Sequence, residues 1–440
     1  MIHRYPVALF LIAAASFLVL ACGTDDEPDP GGESILPPEV PTSAASAPTS
    51  IGASSEEPTT AATVIVTPTM ATDGGPASTA TTEPQSTVPA VPEGTATAEI
   101  DGQMLVVPAG YRISIYAEDL GAARFMALDD NGVPYVTDQT GRVLRLRDAD
   151  GDGVADGAET VLDGLNNPHG ITFHDGALYI ADETRVIRAT DDDGDGTFET
   201  DTPIIDDLPE GGHSTRTIRF GADGMLYLAV GSSCNVCEEE DPRRAAIWRY
   251  NADGSGGEPF ATGLRNAVGI AFHPESGELW ATNNGRDGMG DDVPPETINQ
   301  PSMGDDFGWP RCHAGTVVDP EFGGDGACDG VTQPAVLLQA HSAPLGLTFA
   351  SGDQLAPFEG DLLVAFHGSW NRSEPTGYKV VRIPFENGAP SGEAQDFVAG
   401  WLLPDGDRWG RPVDVLVAAD GSLLISDDEG GRIYRLSRTS

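Results

Sequence analysis

The chain has 440 residues, and its 69 Asp and Glu against 24 Lys and Arg give a net charge of −45. This acidic excess argues against nucleic-acid binding, which requires clustered Lys and Arg. It favours solubility and the binding of cations.

The first 22 residues have the features of an export signal. A short basic start at Arg4 is followed by an apolar run that ends at Cys22. The run Val19-Leu20-Ala21-Cys22 resembles a bacterial lipobox, which would make Cys22 a lipidated N-terminus; a plain signal peptide or membrane anchor is the alternative. The sequence therefore predicts an exported lipoprotein, anchored by lipid to the extracytoplasmic side of a membrane.

Residues 23–100 are rich in Thr, Ala, Pro, Ser and Glu and contain no Lys or Arg. Such a segment buries too little apolar surface to offset its ordering entropy, so we predict a disordered tether. The remaining residues 101–440 form the predicted folded domain, which is long for one simple core and suits a repeat architecture.

One hairpin pattern returns along the folded domain. It consists of an apolar strand, a turn with Asp or Asn next to Gly in most copies, and a second apolar strand, often followed by a third such as "RVLRL" (142–146). Repeats of short strands at this spacing predict an all-β, six-bladed β-propeller, whereas an irregular β-sandwich would not explain the recurring signature. The six copies span 125–138, 170–182, 217–231, 269–283, 345–368 and 413–427.

Two Asp-rich loops follow third strands, at 148–159 and 191–201. The first fits EF-hand spacing but follows a strand and lacks helical flanks, and the second breaks the pattern with Thr202 at its twelfth position. Both are therefore predicted either as structural calcium sites or as solvated acidic turns. The candidate ligands of the first loop are Asp148, Asp150, Asp152 and Glu159.

The cysteines other than Cys22 fall into two local pairs. Cys234 and Cys237 form a CxxC followed by Glu238, which excludes the haem-attachment motif, and no thioredoxin-like setting surrounds them. In an oxidising compartment this pattern favours a disulfide. Cys312 and Cys328 flank a loop and form the second predicted disulfide.

Polar residues flank the hairpins at one end. In a propeller, the start of each first strand and the end of each second strand lie on the same face, so these residues should gather there. Long insertions follow the same strand ends and would build walls around that rim. The set comprises Arg124, Asp138, His169, Asp182, Glu183, His213, Arg265, Asn266, Asn284, Gly285, His341, His367, Arg411 and Asp427.

At these positions the sequence resembles the soluble pyrroloquinoline-quinone (PQQ)-dependent glucose/sorbosone dehydrogenase family, most of all its sorbosone-dehydrogenase-like branch. The resemblance covers 101–440. It implies a six-bladed propeller that binds PQQ and Ca²⁺ on one face and oxidises a sugar or a related alcohol or aldehyde. Its motifs are the His213 hairpin, "GLRNAVGIAFHPESGELWATNNGRDGMGDD" (263–292), "DDFGWP" (305–310), "AHSAPLGLTF" (340–349) and "FHGSWNR" (366–372).

The resemblance assigns roles to particular residues. His213 matches the family's general base, and imidazole suits the removal of a hydroxyl proton as hydride leaves carbon. Arg265 and Asn266 match a cofactor-binding pair, in which the guanidinium would also stabilise charge on the reduced quinone. The backbone carbonyls of Gly285 and Arg286 match two calcium ligands, and Asp291 and Asp292 add negative charge nearby.

Further cofactor contacts follow from the same resemblance. His341, His367 and Arg411 fall at or near positions of quinone contacts, although the lysine of the glucose branch is missing near His367. Trp370 and Trp409 are candidates to stack on a flat cofactor or a sugar.

Two other functions compete with this dehydrogenase. A metal-dependent lactonase would require carboxylates and Asn around an axial metal, and a non-catalytic cell-surface binding propeller would require none of these polar groups in register. For the dehydrogenase, electrons must pass to an external acceptor, such as a quinone pool or a cytochrome.

Overall fold

The structure, a computed structural model, describes residues 94–439. The predicted signal peptide, the lipidation site at Cys22 and most of the predicted linker lie outside the described residues. The described part is all-β apart from one 3₁₀ turn, Ala356–Phe358, and its strands form the predicted six-bladed propeller. Between residues 94 and 439 there is no helix of the length and apolarity that a membrane span requires.

The first three blades are antiparallel meanders that confirm the first three predicted hairpins. Blade three also gains the short parallel strand Asp305–Asp306. Blade one contains Ala123–Leu128, Pro134–Asp138, Arg142–Leu146 and Ala158–Leu162. Blade two contains Gly170–His174, Ala177–Ala181, Val186–Thr190 and Thr200–Ile205. Blade three contains Arg216–Phe220, Leu226–Val230, Ala246–Tyr250 and Glu258–Thr262.

The remaining blades follow the same order, except that the last is completed by the N-terminal side of the domain. Blade four contains Ile270–Phe272, Leu279–Asn283, Glu296–Asn299 and Val336–Leu338. Blade five contains Pro344–Phe349, Leu362–Phe366, Lys379–Ile383 and Gln395–Val398. Blade six contains Pro412–Val417, Leu423–Asp427, Arg432–Arg438 and, as its outer strand, Tyr111–Ala117. Two-stranded ribbons pair Cys312–His313 with Val317–Val318 and Phe385–Glu386 with Ala389–Pro390.

The strand Tyr111–Ala117 closes the ring. It pairs antiparallel with Arg432–Arg438, so that segments more than 300 residues apart share one sheet. This pairing ties the two ends of the domain together and completes the ring of blades, whose remaining sheet edges are short.

The turn residues explain why the hairpins form where they do. In the first hairpin, Asp129 Oδ1 accepts hydrogen bonds from the backbone N–H groups of Asn131 and Val133, and Gly132 takes a φ of 80°. In the third, Asp223 accepts from Met225 N–H beside Gly224, whose φ is 74°. Only glycine adopts this region freely, so the Asx–Gly signal is local chemistry.

The predicted boundary at residue 101 lies too late in the chain. The strand Thr95–Ile100 pairs with Gln103–Pro108, and this hairpin joins the propeller through a bridge between Val106 and Ala399. Leu105 and Val107 are fully buried against blades five and six. The first strand of this hairpin has the same Thr- and Ala-rich composition as the segment before it, so composition alone assigned it to the linker.

Hydrophobic clusters fill the space between neighbouring blades, as between blades two and three, where Tyr179, Ile218 and Leu228 pack together. At the end of the second strands in three blades, buried aspartates cap the turn that follows. Asp138 binds Thr140 and Arg142, and Asp182 binds Thr184 in the same way. Asp427 is the third of this type. These members of the predicted rim set are turn caps rather than cavity residues.

Both predicted disulfides are present, Cys234–Cys237 and Cys312–Cys328. In the first Asp-rich loop, Asp148, Asp150 and Asp152 group their carboxylates as expected. The assignment of Glu159 to this group is wrong, because it lies on the outer strand of blade one and its carboxylate binds Arg145 at 2.6 Å. In the second loop, Asp191, Asp193, Asp195 and Glu199 converge, so the loop does not depend on its twelfth position.

Candidate active site

A polar cavity of about 210 Å³ lies on the face where the first strands begin. It is lined by residues from the loops of blades three to six, together with Arg124 at the start of blade one. The antiparallel order of the strands explains this convergence. On this face, each loop either precedes the first strand of a blade or follows its second strand. The predicted residues in its lining are Arg124, His213, Arg265, Asn266, Asn284, Gly285, His341, His367, Trp370 and Arg411.

His213 stands just before the first strand of blade three. Its Nδ1 lies 3.0 Å from the carbonyl oxygen of Ser232 and 2.9 Å from the Ser232 hydroxyl. That hydroxyl donates to Cys234 O, so both neighbours of Nδ1 act as acceptors and Nδ1 must carry the proton. The bare Nε2 has no partner among residues 94–439. Burial, aided by Arg265, lowers the pKa of His213 to about 3, which keeps the ring neutral.

Arg265 is buried, with 5% of its side chain exposed, and it pairs with Asp287 at 2.8 Å. Its Nε and Nη2 also donate to the backbone and side-chain oxygens of Asn235 at 2.9 and 3.0 Å. Asn266, the next residue, accepts a hydrogen bond from the Thr215 hydroxyl at 3.3 Å. The ion pair with Asp287 was not predicted from the sequence.

Arg411 lines the cavity and makes no salt bridge with a carboxylate within residues 94–439. Its Nε donates to His367 O at 3.2 Å, and its guanidinium lies over the ring of Tyr378. The two terminal nitrogens donate to no side chain or carbonyl in the described part of the chain, and burial lowers the pKa of Arg411. A partly buried guanidinium with free terminal N–H groups favours an anionic ligand. Arg124, by contrast, is neutralised by Asp428 at 2.6 Å.

His341 and Asn371 form a bridge across the cavity wall. His341 Nε2 donates to Gly290 O at 2.9 Å, which leaves Nδ1 as an acceptor. Asn371 Nδ2 donates to Asp287 Oδ1 at 2.6 Å and lies 3.2 Å from His341 Nδ1. Both amide hydrogens are used, while the buried Oδ1 of Asn371 has no partner among the described residues.

His367 and Trp370 come from the loop after the second strand of blade five. His367 Nε2 is held by Asp428 at 2.9 Å, and burial nevertheless lowers the pKa of His367 to about 4. Trp370 is 78% exposed at the mouth of the cavity. Trp409 does not reach the cavity, because its indole packs on Trp401 and donates to Gly400 O.

Gly285 and Arg286, the predicted calcium ligands, differ in their position relative to the cavity. Gly285 lines the cavity, and its N–H donates to Glu296 Oε2 at 2.5 Å. Glu296 is buried in the wall, and burial raises the pKa of Glu296 to about 7. The side chain of Arg286 turns away and binds Asp319 and Glu321. Within residues 94–439, no group donates a hydrogen bond to the carbonyl oxygen of Gly285 or of Arg286, so both remain free to bind a cation.

Sequence reasoning missed four carboxylate or amide residues of this site: Asp287, Glu296, Asn371 and Asp428. Asp287 and Asn371 stand within motifs that carry the resemblance, so their position offered a signal. Asp428 follows the end of the sixth predicted hairpin, so its position also offered a signal. Glu296 gave none, because only the fold brings it to the cavity wall.

Fold and cavity together define a six-bladed propeller with a cavity lined by His, Arg, Asn and carboxylate side chains on its loop-rich face. Residues 172–435 match the Glucose / Sorbosone dehydrogenase family, and the chain belongs to this family of oxidoreductases.

Three similar proteins extend this comparison. An uncharacterized protein of Borreliella burgdorferi is 32% identical over 63% of this chain and 77% of its own length. A pyrroloquinoline quinone-dependent pyranose dehydrogenase of Coprinopsis cinerea is 26% identical over 76% of this chain, which spans about half (54%) of that protein. A structure described as the calcium structure of a Trichoderma reesei carbohydrate-active enzyme of family AA12 superposes with a TM-score of 0.67, at 23% identity, over 76% of this chain and 97% of that one.

Proposed function

We propose that the protein is a PQQ-dependent dehydrogenase that oxidises a sugar, or a related alcohol or aldehyde, by hydride transfer to the quinone. One observation carries the proposal: a bare histidine nitrogen and an unpaired arginine face the same cavity. His213 offers the base, and Arg411 offers an anion site. Family membership and the name of the Coprinopsis relative support the choice of cofactor.

The residues present fit an anionic quinone. PQQ carries carboxylates, and Arg411 has terminal N–H groups that no described residue occupies. The buried Oδ1 of Asn371 similarly lacks a donor. The unsatisfied Asn371 Oδ1 costs free energy in the ligand-free protein. A ligand with an N–H or O–H group would satisfy this oxygen, and its carboxylates would pair with Arg411.

The proposed chemistry needs three actions from this chain. When bound, the quinone supplies the acceptor for the hydride of the substrate. His213 Nε2 takes the hydroxyl proton of the substrate, while Ser232 holds Nδ1–H and so keeps the reactive nitrogen directed away from the wall. Arg265 lies close enough to His213 to lower its pKa, and it would stabilise negative charge that develops beside the base.

Calcium is proposed at the Gly285 and Arg286 carbonyls. Backbone carbonyls are ligands that Ca²⁺ prefers, and Asp287 adds a carboxylate to the same wall. The strongly acidic chain also favours cations in general.

Export, the lipid anchor at Cys22 and an external electron acceptor remain part of the proposal. Detergent partitioning of the full-length protein and of a Cys22→Ser variant would test the anchor, since only the lipidated form should enter the detergent phase. If both forms stay in the aqueous phase, the anchor is wrong.

The central test is reconstitution of the purified protein with PQQ and Ca²⁺. We expect saturable quinone binding by absorbance titration, and dye reduction that requires both the quinone and a sugar, alcohol or aldehyde substrate. Binding without dye reduction across a panel of sugars, alcohols and aldehydes would contradict the catalytic part of the proposal. Absence of binding would contradict the cofactor.

A further inference from the structure

Asn235 lies in an exposed loop outside the cavity, between the two cysteines of the Cys234–Cys237 disulfide. The loop follows the second strand of blade three. Despite its exposure, Asn235 makes a dense set of hydrogen bonds. Its described partners are Arg265, just before the first strand of blade four, and Asp287 and Trp309, in the loops between the later strands of that blade. An exposed side chain with such contacts indicates a positioning role.

The first contacts hold the guanidinium of Arg265. Asn235 O accepts from Arg265 Nε at 2.9 Å, and Asn235 Oδ1 accepts from Nη2 at 3.0 Å. The remaining donations of Arg265 go to Asn284 O at 3.3 Å and to Asp287 at 2.8 Å. Asn235 therefore supplies half of the acceptors that this buried cation uses.

The second contacts hold Asp287. Its backbone N–H donates to Asn235 Oδ1 at 2.8 Å, and Asn235 Nδ2 donates to Asp287 O at 3.0 Å. One amide thus fixes the backbone of the residue whose carboxylate neutralises Arg265. These contacts set both members of the ion pair in one orientation.

The disulfide restrains the loop that presents Asn235. Cys234 O, one residue before Asn235, accepts the hydroxyl hydrogen of Ser232 at 2.7 Å, and Ser232 in turn holds His213. The same short loop therefore touches the supports of both the proposed base and the proposed cofactor cation. Without the disulfide, this exposed loop would sample more conformations, and ordering it against these groups would cost more conformational entropy.

We propose that Asn235 is a positioning residue which, held by the Cys234–Cys237 disulfide, fixes the Arg265–Asp287 ion pair in the orientation that binds the anionic quinone. The inference rests on the proposed function for the identity of the ligand. It assigns to the CxxC motif a supporting role in the site and no redox chemistry.

The test uses PQQ titration of the full chain by absorbance, with Asn235→Ala, Asn235→Asp and the double variant Cys234→Ser/Cys237→Ser. Hydrogen bonds to a charged group predict a loss of quinone affinity of about tenfold to a hundredfold for Asn235→Ala. Asn235→Asp keeps the acceptor atom that faces Arg265 but replaces the donor to Asp287 O by a second acceptor, so it should recover only part of that loss. The double serine variant should lose about fivefold. The KM for the sugar at saturating quinone should not change, because Asn235 does not line the cavity.

The matched control is Asn251→Ala, another exposed asparagine, whose amide binds Ser255 in a turn at the edge of blade three. It should bind quinone like the wild type. Wild-type affinity in Asn235→Ala would overturn the inference while leaving the proposed function intact. If the wild type binds no quinone, the proposed function fails. A double-mutant cycle of Asn235→Ala with Arg265→Ala, measured by urea unfolding, then still tests whether Asn235 holds Arg265. A coupling free energy of zero in that cycle would overturn the inference.

Discussion

Replacing His213 by alanine tests the assignment of the base. The substitution removes the imidazole, including Nε2, the nitrogen without a partner in the described structure, and leaves the hydrogen bonds of the neighbouring wall in place. Ser232 O keeps the hydrogen bond from the backbone N–H of residue 213 at 2.9 Å, and the Ser232 hydroxyl keeps its bond to Cys234 O. Because no buried group is orphaned, we expect the free energy of unfolding to fall by about 1 kcal/mol or less.

The expected loss of activity is much larger than the loss of stability. A positioned general base contributes about 10²–10⁴-fold, which corresponds to roughly 3–5 kcal/mol of activation free energy. Quinone affinity should stay within about threefold of the wild type, since Arg265 and Arg411 do not bond to the imidazole and one lost neutral contact changes little.

The assay combines quinone titration by absorbance with dye reduction at saturating quinone and sugar. His174→Ala is the matched control, because His174 stacks on Phe220 at 3.8 Å near the opposite, hairpin-turn end of blade two. It should turn over like the wild type. A His213→Ala protein that binds quinone normally and reduces dye at the wild-type rate would refute the reasoning.

The other predictions concern the cofactor, calcium, the domain boundary and pH. Arg411→Met should weaken quinone binding about tenfold or more by titration without lowering the melting temperature of the ligand-free protein, because the partly buried guanidinium makes no salt bridge within residues 94–439; unchanged affinity would contradict this. Calcium at a hundredfold excess over its Kd should add about 2.7 kcal/mol to the free energy of unfolding, so identical melting curves in calcium and in chelator would exclude the site. A chain that starts at Thr95 should keep its melting temperature, whereas one that starts at Tyr111 should melt lower by differential scanning calorimetry; equal values would show that the hairpin adds nothing. The lowered pKa of His367, about 4, means that between pH 6.5 and 4 the unfolded chain binds a proton that the folded chain does not, so stability falls as the pH drops. In urea unfolding, the wild type should therefore lose about 2 kcal/mol more than His367→Asn between pH 7 and 5, and equal losses would refute the shift.

The hairpins could be read from the sequence because their determinants are local. An Asx residue that caps the turn and a glycine with positive φ mark most of the junctions, as at Asp129 and Gly132. The face on which polar residues gather also follows from topology alone, once the hairpins are known to repeat. This is why residues as distant in sequence as His213 and Arg411 were expected at one cavity, where the structure places them.

The parts that sequence reasoning missed depend on pairing over long distances. The strand Tyr111–Ala117 looks like any other short strand, and only closure of the ring assigns it to blade six. Glu159 satisfies the spacing of a calcium loop, yet its register on the outer strand places it opposite Arg145. Spacing fixes which residues can meet along a loop, but strand register decides where each carboxylate points.

A histidine with a pKa of about 3 is a weak base, and the charges around it explain how it can still serve. Burial is the largest cause of the shift, and Arg265 is the largest charge that contributes. An anionic ligand beside Arg265 would offset that positive charge and make the imidazolium less costly, so the pKa of His213 should rise when the cofactor binds. Base strength would then develop only in the loaded site, where a proton has to be removed. The comparison of His213→Ala with the wild type therefore has to be made with quinone bound, because in the ligand-free cavity the ring is too weak a base for its loss to matter.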